Sequence, residues 1–133
     1  MKSFHLSTEG RSGFYDITAR VQQAVTESGV EEGICLVWCP HTTAGLTVNE
    51  NADPDVPRDI IDTLDKLVPW RSGYRHSEGN AAAHVKASLM GSSVQLPVSG
   101  GKLALGTWQA VFFCEFDGPR QRRFFVQVLS QAK

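Results

Sequence analysis

The sequence contains no run of about 18 apolar residues, so no membrane-spanning helix is expected. It also lacks an excess of either charge. The 13 Lys and Arg residues stand against 14 Asp and Glu, for a formal charge of −1 and a pI near 6.4. That balance argues against a nucleic-acid partner held by bulk charge. Cysteine is scarce: Cys35, Cys39 and Cys114 are odd in number and form no C-x-x-C pair. Such a set fits neither a disulfide framework nor a thiolate zinc site. All three lie in apolar runs, where buried, inert thiols are expected, and a reducing, cytoplasmic location follows from that usage. No G-x-G-x-x-G, P-loop or H-E-x-x-H motif occurs. The opening residues turn polar by Thr8-Glu9-Gly10-Arg11, too early for a signal peptide.

What remains is an ordinary single-domain composition. At 133 residues and 14.6 kDa the chain is expected to form one domain, residues 1–133. Area scaling gives roughly 6,900 Å² folded against roughly 21,000 Å² extended, enough burial for one core. No linker or repeat interrupts the chain. Residues 3–8 alternate like a half-buried strand. Asp16 is placed to cap a helix carrying Ile17, Val21, Ala24 and Val25, with Gly29 as its C-terminal cap. Residues 33–39 form a continuous apolar run, as in an interior strand. Asp53-Pro54 opens a helix expected to turn Val56, Ile60, Ile61, Leu64 and Leu67 inward, with Pro69 closing it. Residues 68–79 read as a loop. Asn80 then caps a short helix over 81–90 with Val85 and Leu89 as its core face. Four strands are expected over 93–98, 102–106, 109–116 and 123–129. Helices early and strands late predict an α+β fold with a mostly antiparallel sheet and helices packed on one side.

Polar and titratable residues gather in three blocks. The first follows the buried strand: His41-Thr42-Thr43-Ala44-Gly45, then Asn49-Glu50-Asn51-Ala52-Asp53-Pro54-Asp55. A histidine at the end of an interior strand, followed by carboxylates, suits a site at a sheet edge. Asp53 and Asp55 equally suit helix capping. The second block is Tyr74-Arg75-His76-Ser77-Glu78-Gly79-Asn80-Ala81-Ala82-Ala83-His84-Val85-Lys86. His84 lies one turn past Asn80 and projects back over the helix start, which His76 approaches from the loop. Two imidazoles with Glu78 form a candidate divalent-metal set. They also read as a hydrogen-bonded loop histidine beside a helix-edge one. Gly79-Asn80 is a weak anion-site signal. The third block joins Gly106-Thr107-Trp108-Gln109 to Glu115-Phe116-Asp117-Gly118-Pro119-Arg120-Gln121-Arg122-Arg123. Arg120 and Arg122 alternate onto one face and suit phosphate oxygens, though solvated strand-end charge is the commoner role. Trp108 reads as core or as a stacking platform.

These blocks, in this order, resemble the YjbQ family of small bacterial and archaeal proteins, which carries the label secondary thiamine-phosphate synthase. The resemblance runs from about Phe4 to Val128, with no departure at the signature positions. It implies a compact antiparallel α+β subunit assembled as a homotrimer, with pockets near subunit boundaries. It also implies a metal site built from His41, His76 and His84, with Glu50, Asp53, Glu78 and Asn80 beside it. The implied activity joins hydroxymethylpyrimidine diphosphate to a thiazole phosphate, weakly.

In that reaction the thiazole nitrogen attacks with its own lone pair, and catalysis consists of cations placed where the leaving diphosphate gains charge. A divalent ion is one such cation, with Lys86, Arg120 and Arg122 as further candidates and Trp108 or Tyr74 as a stacking surface. Imidazole donors favour Zn²⁺ or Ni²⁺ over Mg²⁺, which prefers oxygen. Two rival readings are a metal-dependent hydrolase using Glu50 or Glu78 as proton shuttle, and a non-catalytic metal- or ligand-binding trimer. All three expect a small phosphorylated metabolite or similar ligand and no membrane partner.

Overall fold

The computed structural model describes residues 1–132. In chain order it contains β1 (Lys2–Ser7), β2 (Gly13–Asp16), α1 (Thr18–Ser28), β3 (Gly33–Trp38), β4 (Ala44–Glu50), α2 (Asp55–Leu67), α3 (Ala81–Met90), β5 (Ser93–Ser99), β6 (Lys102–Leu103), β7 (Gln109–Glu115) and β8 (Gln121–Ser130). All the strand pairings described are antiparallel. The α+β class stands as expected, but the strands divide between two sheets, ordered β1-β8-β3-β5-β6 and β2-β7-β4.

Alternation explains the layers. Phe4, Cys35, Val37, Phe124 and Val126 point from the larger sheet into one core, where they meet Leu46, Val111 and Phe113 of the smaller sheet, Ile17 at the start of α1, and Val21 and Val25 within it. The opposite face of β7 turns Ala110, Phe112 and Cys114 into a second core closed by Leu64 of α2 and by Ala83 and Ala87 of α3. The smaller sheet is therefore covered on both faces, which is why β7 is buried from Ala110 to Glu115.

Several local expectations change. The motif block after His41 contains β4, whose Leu46-Thr47-Val48-Asn49 alternation pairs with β7. The short strand β2 precedes α1, and Asp16 at its end accepts the Thr18 N–H at 2.8 Å. Val85 and Leu89 do not form the core face of α3. They are exposed, and Ala82, Ala83, Lys86 and Ala87 are buried instead. Alanines let this helix lie close against the sheet. Leu64 is the buried member of the α2 stripe, whereas Leu67 is 71% exposed.

The interior strand β3 is central but covered on one face only. Ile34 (48% exposed), Trp38 (43%) and Leu129 of β8 (57%) remain on the outer face, with Ile34 directly opposite Leu129. Total exposed area is 7676 Å², above the roughly 6,900 Å² expected of a monomer this size.

Candidate functional site

His41 sits where β3 leaves β8. Trp38 pairs with Phe125, and the same register two residues on sets Pro40 opposite Arg123. Proline has no N–H to continue the ladder. The His41 ring fills the gap: its Nε2 lies 3.1 Å from both the Arg123 carbonyl oxygen and the Arg123 N–H nitrogen. Burial, and next the neighbouring Arg122 guanidinium, hold its pKa below the ordinary imidazole value. The ring is therefore neutral at pH 7. If it accepts from Arg123 N–H, its proton is on Nδ1; if it donates to the Arg123 carbonyl, Nδ1 is a free lone pair.

Across a cleft of about 500 Å³ stands His84, with Thr42, Ser88 and Ser92 supplying hydroxyls between them. Gly45 makes this cleft possible. A Cβ there would come within 2.7 Å of the Gly91 carbonyl and 3.0 Å of Met90 Cβ. Lacking one, β4 lets the end of α3 approach until Leu46 N–H reaches the Gly91 carbonyl at 3.0 Å.

His76 reaches His84 from the loop, with ring centroids 5.1 Å apart and planes inclined at 70°. Two imidazoles bound tetrahedrally to one ion, with metal–nitrogen bonds of about 2.0–2.1 Å, have centroids about 5 Å apart. The pair thus has the spacing of two shared ligands. Among the described residues, no three His, Cys, Asp or Glu side chains close on one point. His41 shares the cleft with His84 but not that point. Glu78 is exposed on the turn before α3 and lines neither cavity beside the histidines.

The expected phosphate-binding cations are engaged elsewhere. Arg122 is buried, with Nε 2.8 Å from Glu115 Oε1, and its terminal nitrogen 2.5 Å from Oε2 and 2.8 Å from Thr43 Oγ1. Glu115 also accepts from Thr8 Oγ1 and from the Phe116 and Asp117 N–H groups. Burial alone would raise the Glu115 carboxyl, but the Arg122 and Thr8 hydrogen bonds outweigh it and hold the pKa below 4.5. Arg122 therefore locks β8 to β7 and β4. Lys86, almost wholly buried, pairs with Asp65 of α2. Arg120 is exposed and grips Asp117 through its carbonyl and its carboxylate. Asn80 Nδ2 donates to that same carboxylate at 2.9 Å, leaving Asn80 Oδ1 buried without a partner.

Glu50 and Trp108 lie apart from the histidines. Glu50 pairs with Gln109 at one end of the β4–β7 ladder, while Ala44, three residues from His41, pairs with Glu115 at the other. Six residues of strand separate the two ends by about 20 Å. Trp108 is 63% exposed on the turn beside Glu50. The thiols are buried as expected, Cys35 and Cys39 pushed up to about 11 by that burial and Cys114 higher still. Sequence reasoning missed the cleft hydroxyl Ser88. It lies four residues after His84 on one helix face, a legible spacing.

Residues 2–131 match the family model described as UPF0047 protein YjbQ-like. The chain belongs to this family. UPF0047 protein YugU of Bacillus subtilis is 46% identical over 130 residues, covering 97% of this chain and 98% of that one. UPF0047 protein MJ1081 of Methanocaldococcus jannaschii is 48% identical over 126 residues, covering 95% and 91%. An uncharacterised YjbQ/UPF0047 protein from Clostridium acetobutylicum has a crystal structure that superposes with a TM-score of 0.96 at 56% identity, covering 97% of this chain and all of that one. A protein of unknown function from Sulfolobus solfataricus superposes at 0.94 with 34% identity, covering 98% and 96%.

Proposed function

We propose that this UPF0047 protein joins two small phosphorylated metabolites, in the manner of a weak thiamine-phosphate synthase, at a divalent-metal site begun by the His76–His84 pair, with His41 on the facing wall of the cleft. The observation that carries this reading is the His76–His84 pair at 5.1 Å, beside a cleft whose opposite wall is His41. Nitrogen donors favour Zn²⁺ or Ni²⁺ over Mg²⁺. The ion would supply positive charge for the departing diphosphate. His41 donating Nε2–H to the Arg123 carbonyl keeps Nδ1 free and the ring fixed, the usual arrangement behind a ligating histidine. Thr42 and Ser92 offer hydroxyl donors to phosphate oxygens, while Ser88 donates to the His84 carbonyl at 3.0 Å. None of the three expected cations is left free for the diphosphate: Lys86 and Arg122 are buried in ion pairs, and Arg120, though exposed, is held by Asp117.

The transfer needs no general base, and among the described residues no carboxylate lines the cleft between His41 and His84. That supports transfer over hydrolysis. The hydrolytic alternative would need Glu78, which follows His76 by two residues but lines neither cavity, as its proton shuttle, and there Glu78→Gln would abolish turnover while metal is retained. In the third alternative, a binding trimer, ligands stabilise the protein and no product forms. The homotrimer is part of the proposal. Its support is the open apolar face of Ile34, Trp38 and Leu129 and an imidazole pair in want of a further ligand. A cytoplasmic location is likewise proposed, supported by three buried free thiols.

The test is elemental analysis of wild type beside His84→Ala, followed by assay for thiamine phosphate from the pyrimidine diphosphate and thiazole phosphate. About one metal per chain in wild type, lost with turnover in the variant, is the expected result. Metal-free wild type, or turnover indifferent to His84→Ala, overturns the reading.

A further inference from the structure

His76 lines a second cavity as well. The chain between α2 and α3 runs 13 residues, 68 to 80, without helix or strand, a length at which an ordered loop is usually functional. It folds around a pocket of about 330 Å³ lined by Trp70, Arg71, Tyr74 and His76 together with Gly79 and Ala81. Both aromatic rings are held. Trp70 packs against the second core and carries the Arg11 guanidinium 4.1 Å above its ring. The Tyr74 hydroxyl donates to the Pro69 carbonyl at 2.5 Å.

The charge here contrasts with that of the histidine cleft. Lys86, Arg120 and Arg122 are all spent in ion pairs. Among the described residues neither Arg71 nor Arg11 forms one, and the pocket lining holds no carboxylate. Unpaired guanidinium beside indole and phenol rings suits a flat ring stacked on the aromatics with its anionic group on the arginine. The volume lies at the small end of metabolite sites, room for one ring and its phosphate.

We infer that this pocket binds a single-ring aromatic or heteroaromatic metabolite through its phosphate, Arg71 taking the anion and Trp70 and Tyr74 the ring. His76 is the shared wall, so a molecule bound here lies beside the His76–His84 pair. The ligand's role as substrate rests on the proposed function; its binding does not.

Phenyl phosphate is the probe, with inorganic phosphate for charge alone and phenol for the ring alone, titrated into metal-free full-length protein. Phenyl phosphate binds saturably and about tenfold or more tighter than either, as expected when stacking and a charge-assisted bond act together. The His76 imidazole resonance moves while that of His5 stays. Arg71→Ala, an exposed change that spares the fold, weakens binding about tenfold. Trp70→Leu does likewise, and Trp108→Leu leaves it unchanged. Binding indifferent to Arg71→Ala, phenol binding as tightly as phenyl phosphate, or an unmoved His76 resonance overturns the inference. Wild type that proves to carry no metal as purified, yet binds the probe through Arg71, defeats the proposed function and leaves this pocket standing. Metal-dependent turnover with unaltered KM in Arg71→Ala and Trp70→Leu does the reverse.

Discussion

Arg122→Met separates a structural arginine from a phosphate-binding one. The substitution removes the guanidinium from Glu115 and Thr43 but leaves the carboxylate at 0% exposure, with Thr8 and two backbone N–H groups as its partners. Stranding one member of a buried pair costs about 3–5 kcal/mol. Unfolding entropy is about 2.1 cal/mol/K per residue, hence about 0.28 kcal/mol/K for 133 residues, so Tm falls by about 11–18 °C. Differential scanning calorimetry at pH 7 reads this directly. Adding Glu115→Gln recovers part of the loss, since no buried charge is then left alone. On protein that remains folded, phenyl phosphate affinity stays within about twofold of wild type. A Tm change under about 3 °C, or a large loss of anion affinity without one, would refute the structural assignment.

Three further outcomes follow from the geometry. Gly45→Ala drives a Cβ toward the Gly91 carbonyl and Met90; stability falls by about 1–3 kcal/mol in chemical denaturation, and metal affinity falls with it as His84 is displaced. Glu50→Gln and Trp108→Leu, at the far end of the β4–β7 ladder, leave metal content and turnover within about twofold, and a loss in either would place that end in the site. Acid weakens the fold through two groups of depressed pKa. Glu115 contributes stability fully above its unfolded value near 4.5 and loses it as pH falls through the lower folded value. His41 takes up its proton at lower pH folded than unfolded, so stability also declines as pH falls from the unfolded value near 6.5 toward the lower folded one. Unfolding free energy measured from pH 8 to pH 3 should therefore fall in two stages, and Glu115→Gln should remove the lower one.

Elements whose signal is carried by neighbouring residues were legible. Gly29 takes a left-handed φ of 70° and ends α1 as its position suggested, while the bounds expected for α3 from Asn80 and Gly91 match those observed. Helix faces were less so. Val85 and Leu89 are the apolar residues of α3, yet the buried side is alanine, because close approach of helix to sheet is decided by what β4 presents at Gly45. The strand inside the His41 motif was masked by its polar residues, although its alternation was present.

What the sequence determined by itself was the family, the α+β class and the meeting of His76 and His84, all of them consequences of short spacings along the chain. Only the tertiary structure decided which charges are spent. Arg122 meets Glu115 and Lys86 meets Asp65 through pairings of strands and helices that no local pattern encodes, whereas Arg71, beside two aromatic rings, forms no ion pair among the described residues. A charged side chain far from its partner in sequence looks the same whether that partner is a carboxylate of its own fold or a ligand, and burial is what tells them apart.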